Sequence, residues 1–393
     1  MRKALWILMS VAFVDMLGFA MIFPLLPFYA LRLGGQAWIV GPLVASFSIA
    51  QLASSPLWGR VSDRYGRRPV MMIGLGGAGI AYLIFGFANS IWLLFASRLV
   101  QGAGGGTTGV VQAYVSDATE PSQRVRGLGW LSSSTNAGVM LGPVIGSLAS
   151  HLGPAAPGLV AAGLCACNVL FAWRFLPESK PSHHHGPRRS IRVAMREVVR
   201  HPARPQPRLI WIYAVGMAAQ GSLTAVLALY LQHRFGVTVK TIGYFFLYTG
   251  FLSVVLRALI LGPLVDRFGE TRLLRSGAIC LVAAMLLFTV PHTIPGLAVV
   301  LFLFPAGTAL LFPAVTALVS HESDPKELGQ TMGVQQAFGG IARVVGPMWA
   351  TPVFQVLGAS VPFFFIAGIL GAAVALAFQV PIKGVVSEPV PAD

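Results

Sequence analysis

Apolar runs of about 20 residues, the length a helix needs to cross a bilayer, follow one another along the whole chain with short polar turns between them. The pattern predicts twelve helical spans, near 4–31, 38–58, 70–89, 91–115, 126–150, 156–176, 208–232, 241–261, 271–290, 294–319, 330–356 and 359–380. The predicted fold class is therefore an all-α membrane protein, because helices satisfy their own backbone groups inside lipid. The chain starts Met1-Arg2-Lys3 before an apolar stretch, in the manner of a secretory leader. That stretch runs to about residue 31 with no small-residue cleavage site, so it is expected to remain as the first span.

The turn between spans two and three is the most charged of the short ones. It reads Gly59-Arg-Val-Ser-Asp63-Arg64-Tyr-Gly66-Arg67-Arg68-Pro69, and Gly262-Pro-Leu-Val-Asp266-Arg267-Phe-Gly269 repeats it 203 residues later. Val115, Ser116, Pro121, Gly129, Gly142 and Pro143 recur as Val319, Ser320, Pro325, Gly333, Gly346 and Pro347, each 204 residues on. Six spans per half give both halves the same orientation, so the chain reads as two parallel repeats. Substrate sites in such proteins lie near the midplane between the repeats. The expected domains are a six-helix bundle over 1–176, a cytoplasmic linker over 177–207 and a second bundle over 208–393.

Composition agrees with a membrane setting: 55% of residues are hydrophobic and 10% charged, against roughly 25% charged in soluble domains. The net charge of +15 could suggest nucleic acid, but its placement argues for topology. Of 28 Lys and Arg, 22 fall in the N-terminus, the even-numbered turns and the C-terminus, three on the opposite side and three within spans. That is the positive-inside pattern, and it places both termini in the cytoplasm of a cell inner (plasma) membrane. No nucleic-acid partner is expected; the partners are a small-molecule substrate, protons and the bilayer, with the chain a monomer.

Within the linker, Ile191, Ala194, Met195, Val198 and Val199 follow helical spacing with arginines on other faces, which predicts an amphipathic helix suited to the anionic leaflet or a simple spacer. His183-His184-His185 has no Cys or acid beside it and reads as a solvated loop. Cys165 and Cys167 point to different helix faces and make a poor metal pair. No metal site and no cofactor are expected.

Of 13 acids, Asp15 alone falls inside an apolar span. An intramembrane carboxylate costs about 2.5–3.5 kcal/mol on insertion scales, which makes function the default reading. Low dielectric disfavours its ionised form, so it can load and release a proton; the alternative is a neutral acid that only hydrogen-bonds a neighbouring helix. Arg98 in span four reaches the same depth, about 18 Å from the cytoplasmic side by helical rise, which allows a direct or water-bridged pair. Arg343 in span eleven is near mid-depth with no acid in any second-half span, and its partner is either structural or an anionic substrate group. Arg257 is placed about four residues from the inner end of span eight, where snorkelling to headgroups explains it. Gln101, Asn136, Gln220, Gln335 and Arg343 are the candidate substrate contacts.

Several segments resemble the twelve-helix drug:proton antiporters of the major facilitator superfamily, and tetracycline efflux proteins in particular. The 59–69 turn is similar to that superfamily's signature between helices 2 and 3. Asp15-Met-Leu-Gly18 with Pro24-Leu-Leu-Pro27 is similar to the helix 1 motif, and Arg98-Leu-Val-Gln101-Gly102-Ala-Gly104 to the helix 4 motif, whose arginine is implicated in proton transfer. Gly138-Val-Met-Leu-Gly142-Pro143-Val-Ile-Gly146 resembles the antiporter motif. The resemblance implies that Asp15 and Arg98 couple protons. It also implies that Gly138, Gly142, Pro143 and Gly146 pack against the opposite half and seal the cytoplasmic-side route. Gly59, Asp63, Arg64, Gly66, Arg67, Arg68 and Asp117 would then form a conformational latch, with Arg67 on Asp117 and Asp63 against the helix start near residue 330. The chain departs from the pattern at Pro263 and Glu270, and in having no acid in the ninth span.

These features predict a proton-coupled exporter of small hydrophobic or amphipathic compounds, working by alternating access. The alternative with the same fold is a facilitator or importer of a small anionic metabolite, with Arg98 and Arg343 as counter-ions. An enzyme is disfavoured: no His lies mid-span, no metal cluster appears, and Gly104-Gly105-Gly106 sits within span four, where helix packing explains it.

Overall fold

The computed structural model describes residues 2–120, 123–179, 191–324 and 327–381. Its described residues form helices and turns with no strand. The first six predicted positions are occupied by α1 (Arg2–Ile22) with α2 (Leu26–Arg32), α3 (Val40–Tyr65), α4 (Arg67–Gly86), α5 (Ile91–Gly105) with α6 (Thr108–Ala118), α7 (Arg124–Ala149) and α8 (Ala156–Phe175). The linker carries α9 (Ile191–Arg200). The last six positions hold α10 (Pro205–Phe235), α11 (Ile242–Val255) with α12 (Leu261–Phe268), α13 (Glu270–Leu287), α14 (Ile294–Leu301) with α15 (Leu303–His321), α16 (Leu328–Leu357) and α17 (Val361–Phe378). Eight helical stretches among the described residues are long and apolar enough to cross a membrane.

Local chemistry explains the interruptions. Pro24 lacks a donor and falls in a 3-10 turn, Phe23–Leu25, that separates α1 from α2. The Gly104-Gly105-Gly106 run, expected inside one helix, instead ends α5: the chain turns at Gly106 and Thr107 before α6 begins. A Cβ at Gly106 would strike Ser54 and Trp58, so α3 can approach only a bare backbone there. Between α11 and α12 a π-helical turn, Leu256–Ile260, carries Arg257.

The duplication is written into the backbone. Among the described residues the six glycines with positive φ fall in pairs, Gly34 with Gly236, Gly66 with Gly269, and Gly153 with Gly358, spaced 202, 203 and 205 residues apart. Gly66 (φ +101°) and Gly269 (φ +75°) end α3 and α12 and start α4 and α13 in a conformation that a side chain disfavours. Helix N-caps repeat as well, with Ser90 Oγ accepting from Leu93 N and Thr293 Oγ1 from Gly296 N.

By contact the chain forms two compact units. One comprises Met1–Gly186, Gly221–Gly250 and Arg343–Pro362; the other Pro187–Gln220, Phe251–Ala342 and Phe363–Asp393. In the first, α1 packs along α7 and α8, and Asn168 Nδ2 on α8 donates to the Val11 carbonyl at 2.9 Å. The inner part of its core gathers Leu8, Val11, Met71, Leu75, Val110, Tyr114 and Leu131. In the second, α13 packs along α15, where a Cβ at Gly277 would lie 3.0 Å from the Gly307 carbonyl. The arrangement repeats Gly74 against Gly104 (3.1 Å) in the first half. Also in the second unit, the linker helix α9 turns Val198 inward, and Trp211 Nε1 donates to the Val198 carbonyl at 3.2 Å. Val193 and Val199 stay exposed. The histidine run at 183–185 lies outside the described residues.

Candidate functional site

Asp15 sits seven residues before the end of α1 and is half-buried, with no hydrogen bond or ion pair to another described residue. Arg98 on α5 is 1% exposed, the largest of the fully buried side chains. The direct pair that equal depth allowed is not formed. Arg98 Nε and Nη2 are buried with no hydrogen-bond partner, and the guanidinium carbon lies 5.7 Å from the centroid of the Phe85 ring. Buried charge without full hydrogen bonding is costly, which marks this as a place held for more than stability. Gln101, one turn further along α5, does not face open space: it is 2% exposed, and its Nε2 donates to Tyr82 Oη at 2.8 Å. Its Oε1 has no partner. Tyr82 is a member of this cluster that sequence reasoning missed; the helical register of α4 relative to α5 carries no signal in the sequence.

Other expected substrate contacts scatter. Asn136 on α7 is exposed, while Gln220 and Arg343 are intermediate. Gln335 is 1% exposed and donates to Thr316 Oγ1 at 3.1 Å, which is a packing contact. The placement of Arg257 near a helix end is corrected. The apolar stretch runs Ile242–Phe268, so Arg257 sits well inside it on the π turn, with Nε buried and unpartnered. Helical π turns often mark functional positions.

The antiporter-motif glycines also require correction. Gly138, Gly142 and Gly146 recur every four residues along one face of α7, and that face lies on α1 of the same half. A Cβ at Gly138 would come 2.5 Å from the Phe13 carbonyl oxygen and one at Gly142 2.6 Å from that of Leu17; one at Gly146 would overlap that of Met21. Second-half residues meet α7 on another face. Gly243 N donates to Ser147 Oγ at 2.9 Å, and a Cβ on Gly243 would overlap the Pro143 carbonyl. The duplicate clasp joins α3 to α16: Gly41 N donates to Thr351 Oγ1 at 3.1 Å, and a Cβ on Gly41 would overlap the Pro347 carbonyl. Each hydroxyl follows the proline by one helical turn in both copies. Both clasps lie at the helix ends remote from the 59–69 turn.

At that turn, Arg67 on α4 binds two acids: Nη1 to Asp63 Oδ1 at 2.6 Å and Nε to Asp117 Oδ2 on α6 at 3.2 Å. Asp63 is largely exposed, whereas Asp117 and Arg67 are buried. Glu178, past the end of α8, was not anticipated. Its Oε1 accepts from the backbone N–H of Arg67 (2.7 Å) and Arg68 (3.2 Å), the free donors at the start of α4. A side chain on Gly66 would come 2.7 Å from Glu178 Oε2, a second reason for glycine there. Arg68 donates to the Trp173 carbonyl. Gly59 has open space around its Cα, and the Arg64 guanidinium carbon lies 5.4 Å from the centroid of its neighbour Tyr65's ring.

The degraded second copy keeps a pair with the acidic and basic residue types exchanged. Glu270 stands 203 residues after Arg67, and its Oε2 lies 3.3 Å from Nδ1 of His321, which stands 204 after Asp117. The repeat spacing applied to Asp117 would have found it. Among the described residues no three His, Cys, Asp or Glu side chains gather as metal ligands. Cys165 is buried and Cys167 exposed, on different faces as expected.

Comparison with known proteins agrees with this geometry. The sequence profile of the Major Facilitator Superfamily matches residues 8–347 and 251–391. The class B tetracycline resistance protein of Escherichia coli is 27% identical over 359 residues, covering 90% of this chain and 89% of that protein. Multidrug resistance protein 2 of Bacillus subtilis (strain 168) is 29% identical over 372 residues, covering 91% and 90%. The crystal structure of the human organic anion transporter MFSD10 (TETRAN) superposes with a TM-score of 0.69 at 24% identity, over 96% of this chain and 99% of that one. The chain belongs to the Major Facilitator Superfamily, and it is a membrane transport protein rather than an enzyme.

Proposed function

We propose that this protein is a proton-coupled exporter of small hydrophobic or amphipathic compounds, of the drug-efflux kind, working by alternating access from the cell inner membrane. Its twelve helical segments form two six-helix halves, 1–176 and 208–393, joined by 177–207, with both termini cytoplasmic and the monomer as the working unit. The proton is the coupling ion, and no other cofactor takes part. The observation that carries this reading is Asp15: an acid within the apolar α1, half-buried, with no cation holding it charged. The tetracycline and multidrug resistance relatives support export as its direction.

In the proposed cycle Asp15 takes a proton from the exterior when the outer side is open and gives it up inside as substrate binds. The paired clasps at Gly41–Thr351 and Gly243–Ser147 hold the outer ends together. The Asp63–Arg67–Asp117 cluster, capped by Glu178, braces the inner ends. Inverted membrane vesicles carrying the protein should take up a lipophilic dye when their interior is acidified, and a protonophore should abolish the uptake. Uptake indifferent to the protonophore would defeat the proposal.

Arg257 favours a second reading. A buried guanidinium nitrogen without a partner suits an anionic group on the substrate. The organic anion transporter that superposes on this chain points the same way. Gradient-independent uptake of labelled organic anions, lost in Arg257→Gln, would select it.

A further inference from the structure

Tyr82 packs against α1 and α5 at once. It is 1% exposed on α4, and its hydroxyl accepts the Gln101 Nε2 hydrogen at 2.8 Å. Its ring lies against α1 at Gly18, where an added Cβ would sit 3.2 Å from Cε2 and 3.5 Å from Oη. Gly18 is one helical turn from Asp15, and Tyr82 is within electrostatic reach of Asp15, Arg98 and Cys165. A side chain at Gly18 would crowd the phenol, which would have to give by a few tenths of an ångström.

Hydrogen-bond accounting then limits where the Tyr82 proton can point. The hydroxyl oxygen is already an acceptor, so its hydrogen remains to be donated. Arg98 has no lone pair. Gln101 engages the phenol through its NH2, leaving Oε1 without a partner, as are Arg98 Nε and Nη2 one turn away. A buried water typically satisfies about three such polar groups. The anionic acceptor within reach is Asp15.

We propose that Tyr82 is a positioning residue for the coupling carboxylate: anchored by Gln101, its hydroxyl donates through one bound water to Asp15 and stabilises the ionised form. The same water offers Arg98 an acceptor, so the two charges communicate without touching. The inference rests on Asp15 being the coupling site. The titratable groups in electrostatic contact with Asp15 are Tyr82 from α4 and Cys165 from α8, and Arg98 from α5 interacts with Tyr82. Helix α7, packed along α1, has no titratable side chain between Arg126 and His151, and Tyr114 of α6 is turned to the Pro177 carbonyl at 2.6 Å. No covalent step is involved; the proton passes between Asp15 and water.

The test reads Asp15 directly. Purified protein in liposomes is titrated by infrared difference spectroscopy, with the carboxyl band assigned by its loss in Asp15→Asn. Tyr82→Phe removes only the hydroxyl and should move the midpoint of that band to higher pH by about one unit, a roughly tenfold tighter hold on the proton. Gln101→Leu, which frees the phenol from its anchor, should shift it the same way by less. It decides the matter if Tyr82→Phe does not yield folded protein. A wild-type titration unmoved by these changes overturns the assignment of Tyr82 alone. A carboxyl that does not titrate even in the unaltered protein overturns the coupling reading, and this inference with it.

Discussion

Asp15→Asn is expected to yield a folded transporter that cannot accumulate substrate against a gradient. Asparagine keeps the shape of the side chain and removes the ionisable group, and no hydrogen bond or ion pair of Asp15 is lost with it. An intramembrane carboxylate costs about 2.5–3.5 kcal/mol on insertion scales, so folding should be unharmed. One proton exchanged per substrate lets a difference of about one pH unit sustain about a tenfold substrate gradient, since one unit is about 1.4 kcal/mol. In sealed vesicles the variant should hold a ratio near one, while exchange of labelled for unlabelled substrate continues. A tenfold ratio in the variant would remove Asp15 from the coupling step.

The glycines of α7 and α11 separate folding from transport. Gly142→Leu drives a side chain into the α1 backbone, where even a Cβ would lie 2.6 Å from the Leu17 carbonyl oxygen and 2.9 Å from Met21 N. Backbone cannot move aside as a side-chain tip can, and overpacking of this kind costs roughly 3 kcal/mol or more. The variant should lose most of its folded yield, read as a monodisperse peak after detergent extraction. Gly243→Leu meets the Pro143 carbonyl and Ser147, but that contact joins residues of different repeats at the helix ends remote from the 59–69 turn. If the clasp opens and closes once per cycle, this variant should fold and remain extractable, yet transport at least about tenfold more slowly. Equal loss of folded protein in both variants would mean that the Gly243 contact is a permanent packing contact.

Much of the architecture was legible because membrane helices must be long and apolar, and because a duplicated chain repeats its punctuation. The turn glycines Gly66 and Gly269 were visible as letters before their positive φ was known. Arg67 meeting Asp117 followed from the resemblance of the loop, and the distance is 3.2 Å. What the letters did not carry was helix rotation. The four-residue glycine spacing on α7 said that some backbone comes close, but not that it is α1. Depth arithmetic put Asp15 and Arg98 at one level, but the azimuth that brings Tyr82 onto Gln101 depends on how α4 and α5 pack. Arg257 was misplaced because the apolar run continues through Leu264 and Val265 to the end of α12, a boundary blurred by Gly262 and Pro263. Glu178 escaped notice because its role, receiving the N–H groups at the head of α4, joins residues 111 apart.

Proton counterflow tests the coupling most directly. Proteoliposomes are loaded with a pH-sensitive dye and prepared with equal pH on both sides, and substrate is then supplied on one side only. Protons should cross in the opposite direction to the substrate, reaching a steady pH difference in the unaltered protein and none in Asp15→Asn. Substrate that equilibrates through the unaltered protein without any pH change would contradict proton coupling and leave a passive carrier.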